Sequence, residues 1–206
     1  FMRAAKQATA VRREQIATAA LSIVASQGIA AMTVARVARL VGLAPSALYR
    51  HYAGRAEILD AVLDLLRSRF LGNLAAAGKA PNGLEALHTV LMRQVALVLE
   101  FSAMPRILFS EEVYGRVPAL KAKLADLLGS LVAGLAGLAR RGQEDGSIRL
   151  DITPQSAALL LFGTFQPCAM LWYLSGGNFD LAGAVSENWE LYRQAVAAGK
   201  ENRSSQ

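Results

Sequence analysis

The sequence predicts an all-α fold of about nine helices, and three observations carry that expectation. No run of residues alternates apolar with polar side chains as a half-buried strand requires, and no segment repeats at a fixed period. Apolar residues instead recur three and four positions apart along most of the chain. Between these stretches stand glycine, proline and capping threonine, the residues that start and stop helices.

The first helix is predicted from about Val11 to Gln27, with Ile16, Ala20, Ile23 and Val24 on one apolar stripe and Gly28 at the left-handed position that ends it. Thr33 can cap a second helix through Val34, Val37, Ala38 and Val41 to Gly42. A third starts with Pro45 in its first turn, where the missing N–H costs nothing, and ends near His51. After Ala53-Gly54, Ile58, Leu59, Val62, Leu65, Leu66 and Phe70 trace a fourth, longer helix to about Ala77. The run GKAPNG interrupts the chain before a fifth helix from Leu84 to Phe101 that is apolar nearly all round. MPRILFSEEVYG predicts a short sixth helix, Pro118 opens a seventh to about Arg141, Pro154 opens an eighth, and Leu181 to Ala197 forms the ninth. The tail KENRSSQ is expected to fray.

Composition narrows the function classes. At 53% hydrophobic residues the chain can bury a sizeable core, which excludes a disordered or fibrous protein. Its net charge of +6 is unevenly placed. Residues 1–55 hold Arg3, Lys6, Arg12, Arg13, Arg36, Arg39, Arg50 and Arg55 against one acid, Glu14, whereas the remainder is close to neutral. A basic module on a neutral body points to a polyanion, although a basic, solvated helical surface accounts for charge alone equally well. One cysteine, Cys168, excludes an internal disulfide and a cysteine-rich zinc site, and no secretory pattern opens the chain, so a cytoplasmic location is expected. From Ile152 to Phe179 no residue is charged. Pro154, the Gln166-Pro167 pair and the lack of flanking Lys/Arg clusters argue against a membrane span. A helix buried on all sides, in a core or between subunits, is expected instead. Pro167 inside it should introduce a kink and free the carbonyl of Gly163.

The second and third helices are too short to stand alone. Their brevity and the glycine turn between them suit a helix-turn-helix, whose second helix enters the major groove. Here the sequence resembles a known family. TVARVARLVGLAPSALYRHYAGRAEIL is similar to the amino-terminal signature of the TetR family of transcriptional repressors, through Thr33, Val37-Ala38, Gly42, Leu48-Tyr49, His51-Tyr52 and Arg55, Glu57 and Leu59. The match covers about residues 11–60. The resemblance implies a helix-turn-helix DNA-binding domain over residues 1–55 and a larger helical domain for effector binding and dimerisation over 56–206. It places Thr33, Arg36, Pro45, Ser46, Tyr49, Arg50, His51 and Arg55 at DNA. The chemistry of each side chain suits that role. Tyr49, His51 and Arg55 can donate to phosphate, Pro45 and Ser46 lead the reading helix towards base edges, and Arg36 and Arg50 can reach bases or phosphates. Arg12 and Arg13 can reach a flanking phosphate or minor groove. Tyr52 is expected to face inward. Two positions depart from the family pattern. Ala44 stands where a capping Ser is common, and Arg36 where an acid often completes a capping box.

For the remaining helices, the resemblance implies homodimerisation through the last two and a cavity for a small, largely apolar effector among the fourth to eighth. Leu181, Val185, Trp189, Tyr192 and Val196 form one stripe that suits a four-helix interface or a monomer core. Phe101, Met104, Phe109, Tyr114, Phe165, Gln166, Met170 and Trp172 are the candidate lining residues, and the apolar ones fill an ordinary core just as well. His88, Arg93, Gln94 and Gln166 are the few polar groups on otherwise apolar stretches. The expected function is therefore a ligand-responsive repressor that binds a palindromic double-stranded DNA operator as a homodimer, without cofactor, metal or membrane. The alternative is a DNA-binding structural or division-regulating protein of the same fold, controlled by a protein partner. No enzyme is expected, because two distant histidines, one apolar cysteine and no phosphate-binding glycine loop make no catalytic set.

Overall fold

A computed structural model describes the backbone of residues 2–199 and the side chains of residues 11–199. Among these it contains α1 (Met2–Gln27), α2 (Val34–Leu40), α3 (Pro45–Tyr49), α4 (Arg55–Ala77), α5 (Gly83–Glu100), α6 (Met104–Leu108), α7 (Pro118–Glu144), α8 (Pro154–Leu174) and α9 (Leu181–Val196). The fold is all-α, with one isolated antiparallel bridge between Ile148 and Ala197. Contacts gather into two compact units, one of Phe1–Arg69 with Glu100–Leu127, the other of Phe70–Leu99 with Leu128–Gln206.

In the first unit, α1 starts earlier than its apolar stripe does. The segment before Val11 has no such stripe, but Ala, Lys, Arg and Gln extend a helix readily. Ile16, Ala20 and Val24 of α1 are buried with Val37, Leu48, Ile58 and Val62 of the following helices. Gly28 adopts φ 84° and its N–H closes onto the Val24 carbonyl at 3.0 Å, a carbonyl that also accepts from Arg106 Nη1 of α6 at 3.0 Å. Ion pairs tie the polar faces together. Asp64 of α4 accepts from Arg13 at 3.3 Å and Lys123 at 2.7 Å, Asp60 pairs with the same lysine at 2.6 Å, and Glu14 holds Arg69 at 2.6 Å. The single sixth helix expected from the sequence is instead α6 followed by a π-helical turn, Glu112–Arg116. Ser110, whose hydroxyl donates to the Ile107 carbonyl at 2.8 Å, separates the two.

In the second unit, α5 meets α7 at backbone contact. A Cβ on Gly83 would lie 2.2 Å from the Gly142 nitrogen, so glycine is required there. The loop after α7 caps α5. Gly83 N–H donates to Asp145 at 2.7 Å, Leu84 N–H to Ser147 Oγ at 3.2 Å, and Glu85 N–H to Asn82 at 2.8 Å. Helix α8 continues without a break through Pro167 and packs on α9. Asn188 of α9 donates to the Thr164 carbonyl at 3.0 Å and Tyr192 to the Ala157 carbonyl at 3.2 Å.

Of the two settings expected for α8, a core or an interface between subunits, a single chain does not supply the first. The chain by itself buries Ala157, Ala158, Leu161, Cys168 and Ala169 but leaves Leu159, Leu160, Leu171 and Leu174 exposed, Leu174 by 70%. Helices α7 and α8 are each long and apolar enough to cross a membrane by length and composition.

Candidate nucleic-acid interface

Local rules build the exposed face around α2 and α3 in the first unit. Thr33, extended at the start of α2, accepts from the Arg36 N–H at 3.2 Å and so caps the helix. The turn between α2 and α3 needs Gly42, whose φ is 70°, and is closed by Leu43 N–H on the Ala38 carbonyl at 2.8 Å. Ala44 occupies the cap position of α3 with no side-chain bond to offer, and Pro45 starts the helix. Leu48 and Tyr52 are buried and hold α3 from beneath. Burial raises the Tyr52 hydroxyl above its ordinary pKa, although Arg13 beside it acts in the opposite direction. Pro45, Ser46, Tyr49, Arg50 and His51 are left on one exposed face, with Tyr49 52% exposed.

The predicted residues are not equivalent in their surroundings. The side chains of Tyr49, Arg50 and His51 have no hydrogen bond or ion pair with other described residues. Arg36 is exposed, yet its guanidinium donates to Gln27 Oε1 at 2.7 Å and leans on the Ala31 carbonyl at 3.5 Å. Arg55 is held more firmly, donating to Glu112 Oε1 at 3.1 Å and to the Ala30 carbonyl at 3.4 Å. Glu57 turns back to accept from the Ala53 N–H at 2.9 Å, closing the start of α4. Arg12, Arg13, Arg50 and His51 border a groove of about 700 Å³ over Ile16, Leu43 and Leu48, with Glu57 and Asp60 also on its wall. Sequence reasoning had no means of finding Gln27 or Glu112, since nothing local distinguishes them from other surface polar residues.

The effector-lining candidates divide between the units. Phe101 and Met104 are buried in the first, where the Arg69 guanidinium stands 6.0 Å from the Phe101 ring centre. Phe109 is partly exposed and stacks on Tyr114 at 6.3 Å. Phe165, Gln166, Met170 and Trp172 are half-buried on α8 in the second unit. Of the four polar groups picked out on apolar stretches, Arg93 is exposed, Gln166 is half-buried and His88 stacks on Trp189 at 4.7 Å. Gln94 differs from all three. It is only 5% exposed, and neither its Oε1 nor its Nε2 has a hydrogen-bond partner among the described residues. Leaving buried polar groups unmet costs about 1–3 kcal/mol each. Cys168 is buried, and burial raises its thiol pKa, the opposite of what a nucleophile needs. Among the described residues no group of three or more His, Cys, Asp or Glu is placed to hold a metal.

A capped α2, a glycine turn and an outward-facing α3 are also what comparison with known proteins picks out. Residues 16–62 match the family model for bacterial regulatory proteins of the tetR family. Over these residues the chain resembles the TetR family. The chain is 28% identical to a probable HTH-type transcriptional regulator, ArpR, of Pseudomonas putida over 92% of both chains. It is also 26% identical to the nucleoid occlusion factor SlmA of Pasteurella multocida, over 61% of this chain and 64% of that one. The fold superposes on the transcriptional regulator FadR of Bacillus subtilis, solved in complex with stearoyl-CoA, with a TM-score of 0.74 at 20% identity, covering 87% of this chain and 96% of that one. Over most of its length the chain is thus similar to transcriptional regulators, and over residues 16–62 to those of the tetR family.

Proposed function

We propose that this regulator is a cytoplasmic repressor that binds a palindromic operator as a homodimer and is released by a small, largely apolar effector. The observation that carries the reading is the exposed face of α3, with Pro45, Ser46, Tyr49, Arg50 and His51 free to meet DNA. In this reading residues 1–55 bind DNA and residues 56–206 bind effector and dimerise. Pro45 and Ser46 lead α3 to base edges. Tyr49, Arg50 and His51 donate to phosphate, Thr33 and Arg36 flank them from α2, and Arg55 stands at the start of α4. Arg12 and Arg13 extend the basic surface along the groove. Dimerisation is supported by the exposed leucines of α8, with Leu191 of α9 also exposed. Two copies of this α8–α9 pair would bury them in a four-helix interface and supply the paired reading heads that a palindrome needs.

An effector acts by linkage. If it fits only the conformer with misplaced reading heads, it weakens operator binding as much as operator weakens effector binding. A hundredfold effect requires about 2.7 kcal/mol of coupling. Helices α4 and α7, continuous through both compact units, are the covalent paths for it. Stearoyl-CoA on the similarly folded FadR supports an acyl-type or other apolar effector class.

A second reading rests on the similarity to SlmA, named a nucleoid occlusion factor. In that case the regulator serves chromosome organisation or division, and a protein partner controls it.

Selection of bound fragments from genomic DNA separates the two readings. The repressor reading expects a few palindromic sites upstream of genes, and many sites spread over the chromosome would refute it. On the selected operator, Tyr49→Phe and Arg50→Ala should weaken binding tenfold or more. Arg50→Ala should also flatten the dependence of log K on log salt by about one unit.

A further inference from the structure

We infer that Gln94 is the polar recognition element of the effector site, and that it selects an uncharged carboxamide or lactam carried on an apolar body. The inference rests on the reading of residues 56–206 as effector-binding and deepens it. Helix α5 buries Val90, Leu91, Val95, Leu97 and Val98 around this position, and a leucine there would match its neighbours without an unmet polar group. The chain instead keeps a carboxamide with both its acceptor and its donors unsatisfied. Ser110, the other buried polar residue among those described, has its hydroxyl bonded to the Ile107 carbonyl at 2.8 Å, so Gln94 is not one of a class of tolerated orphans.

The geometry of the group defines its partner. A carboxamide presents one acceptor and two donors side by side, and a second amide meets both with two parallel hydrogen bonds. A carboxylate would satisfy the NH₂ and leave the C=O unmet. It would also bring a charge into a core where no Lys, Arg, Asp or Glu is buried among the described residues. An alkane would leave both atoms as they are.

The test uses the full-length protein without DNA and three probes: octanamide, N,N-dimethyloctanamide, which lacks the donors, and octanoate at pH 8. Calorimetry should show octanamide binding at least tenfold more tightly than either of the others. Gln94→Leu should lose at least tenfold of that affinity while melting above the unliganded wild type, because the unmet polar group is gone. Gln94→Met, unbranched and close in volume, repeats the comparison if the leucine variant fails to fold. Absence of octanamide binding, equal binding by the three probes, unchanged binding by the variants, or both variants melting below wild type would overturn the assignment. Operator affinity is measured separately. If octanamide binds through Gln94 but leaves operator affinity unchanged, the effector-release reading fails and the site stands.

Discussion

Arg50 and Arg55 carry the same charge close together in the chain, and the fold places them in different company. Arg50 projects from the end of α3 without a partner among the described residues, whereas Arg55 is committed to Glu112 at 3.1 Å and to a backbone carbonyl. A guanidinium already neutralised by a carboxylate releases fewer counterions when DNA approaches. Arg55→Ala should therefore weaken operator binding through loss of the pair, with a stability cost of about 1 kcal/mol, while leaving the salt slope of binding as in wild type. Glu112→Gln should reproduce that loss of stability. A salt slope flattened by Arg55→Ala as much as by Arg50→Ala would instead make Arg55 a phosphate contact. The sequence shows eight cations in the first 55 residues but gives no means of telling the two kinds apart, because Glu112 lies 57 positions from its arginine.

At the scale of the element, most helix ends were legible because their signals are local. Thr33 caps α2, Gly28 and Gly42 take positive φ, and Pro45, Pro118 and Pro154 each open a helix. The start of α5 is a different case. Its first amides are satisfied partly from the loop after α7, with Asp145 accepting from the Gly83 N–H at 2.7 Å and the Ser147 N–H at 3.0 Å. Desolvation alone would raise the Asp145 pKa. Its hydrogen bonds from Ser147 and Gly83, with Arg141 nearby, outweigh that and hold the carboxyl below its ordinary value of 3.8. A depressed folded-state pKa means that this stabilisation is present above pH 3.8 and is lost as pH falls through the folded value. Asp145→Asn should cost about 1 kcal/mol at pH 7, the usual worth of a cap. Thermal melting of this variant should decline less steeply than that of wild type between neutral pH and the acid limb. Equal acid sensitivity of the two proteins would show that Asp145 does not contribute.

For the whole molecule, the decisive feature is what one chain cannot bury. Leu171 and Leu174 on α8 are 50% and 70% exposed, on a helix with no charged residue. Burying an apolar side chain fully contributes about 1.5–3 kcal/mol, so a face of several leucines is sufficient to drive association. The wild type should sediment as a dimer, and the double variant Leu171→Arg/Leu174→Arg as a monomer at the same concentration. Its affinity for a full palindrome should fall at least a hundredfold, towards that for a half-site. A dimeric variant with intact operator affinity would place the interface elsewhere.

The sequence by itself determined the helical class, nearly every helix boundary and the identity of the helix-turn-helix, because caps, turns and apolar spacing act within a few residues of one another. It also marked Gln94 as one of four polar groups on apolar stretches. Only the tertiary structure decided that Gln94 is the one left without a partner, that Arg36 and Arg55 are turned onto Gln27 and Glu112, and that Glu100–Leu127 gathers with the amino-terminal helices. Hydrogen-bond satisfaction and ion pairing depend on which distant residues the fold brings within about 3 Å, and no local pattern of residue types encodes that proximity.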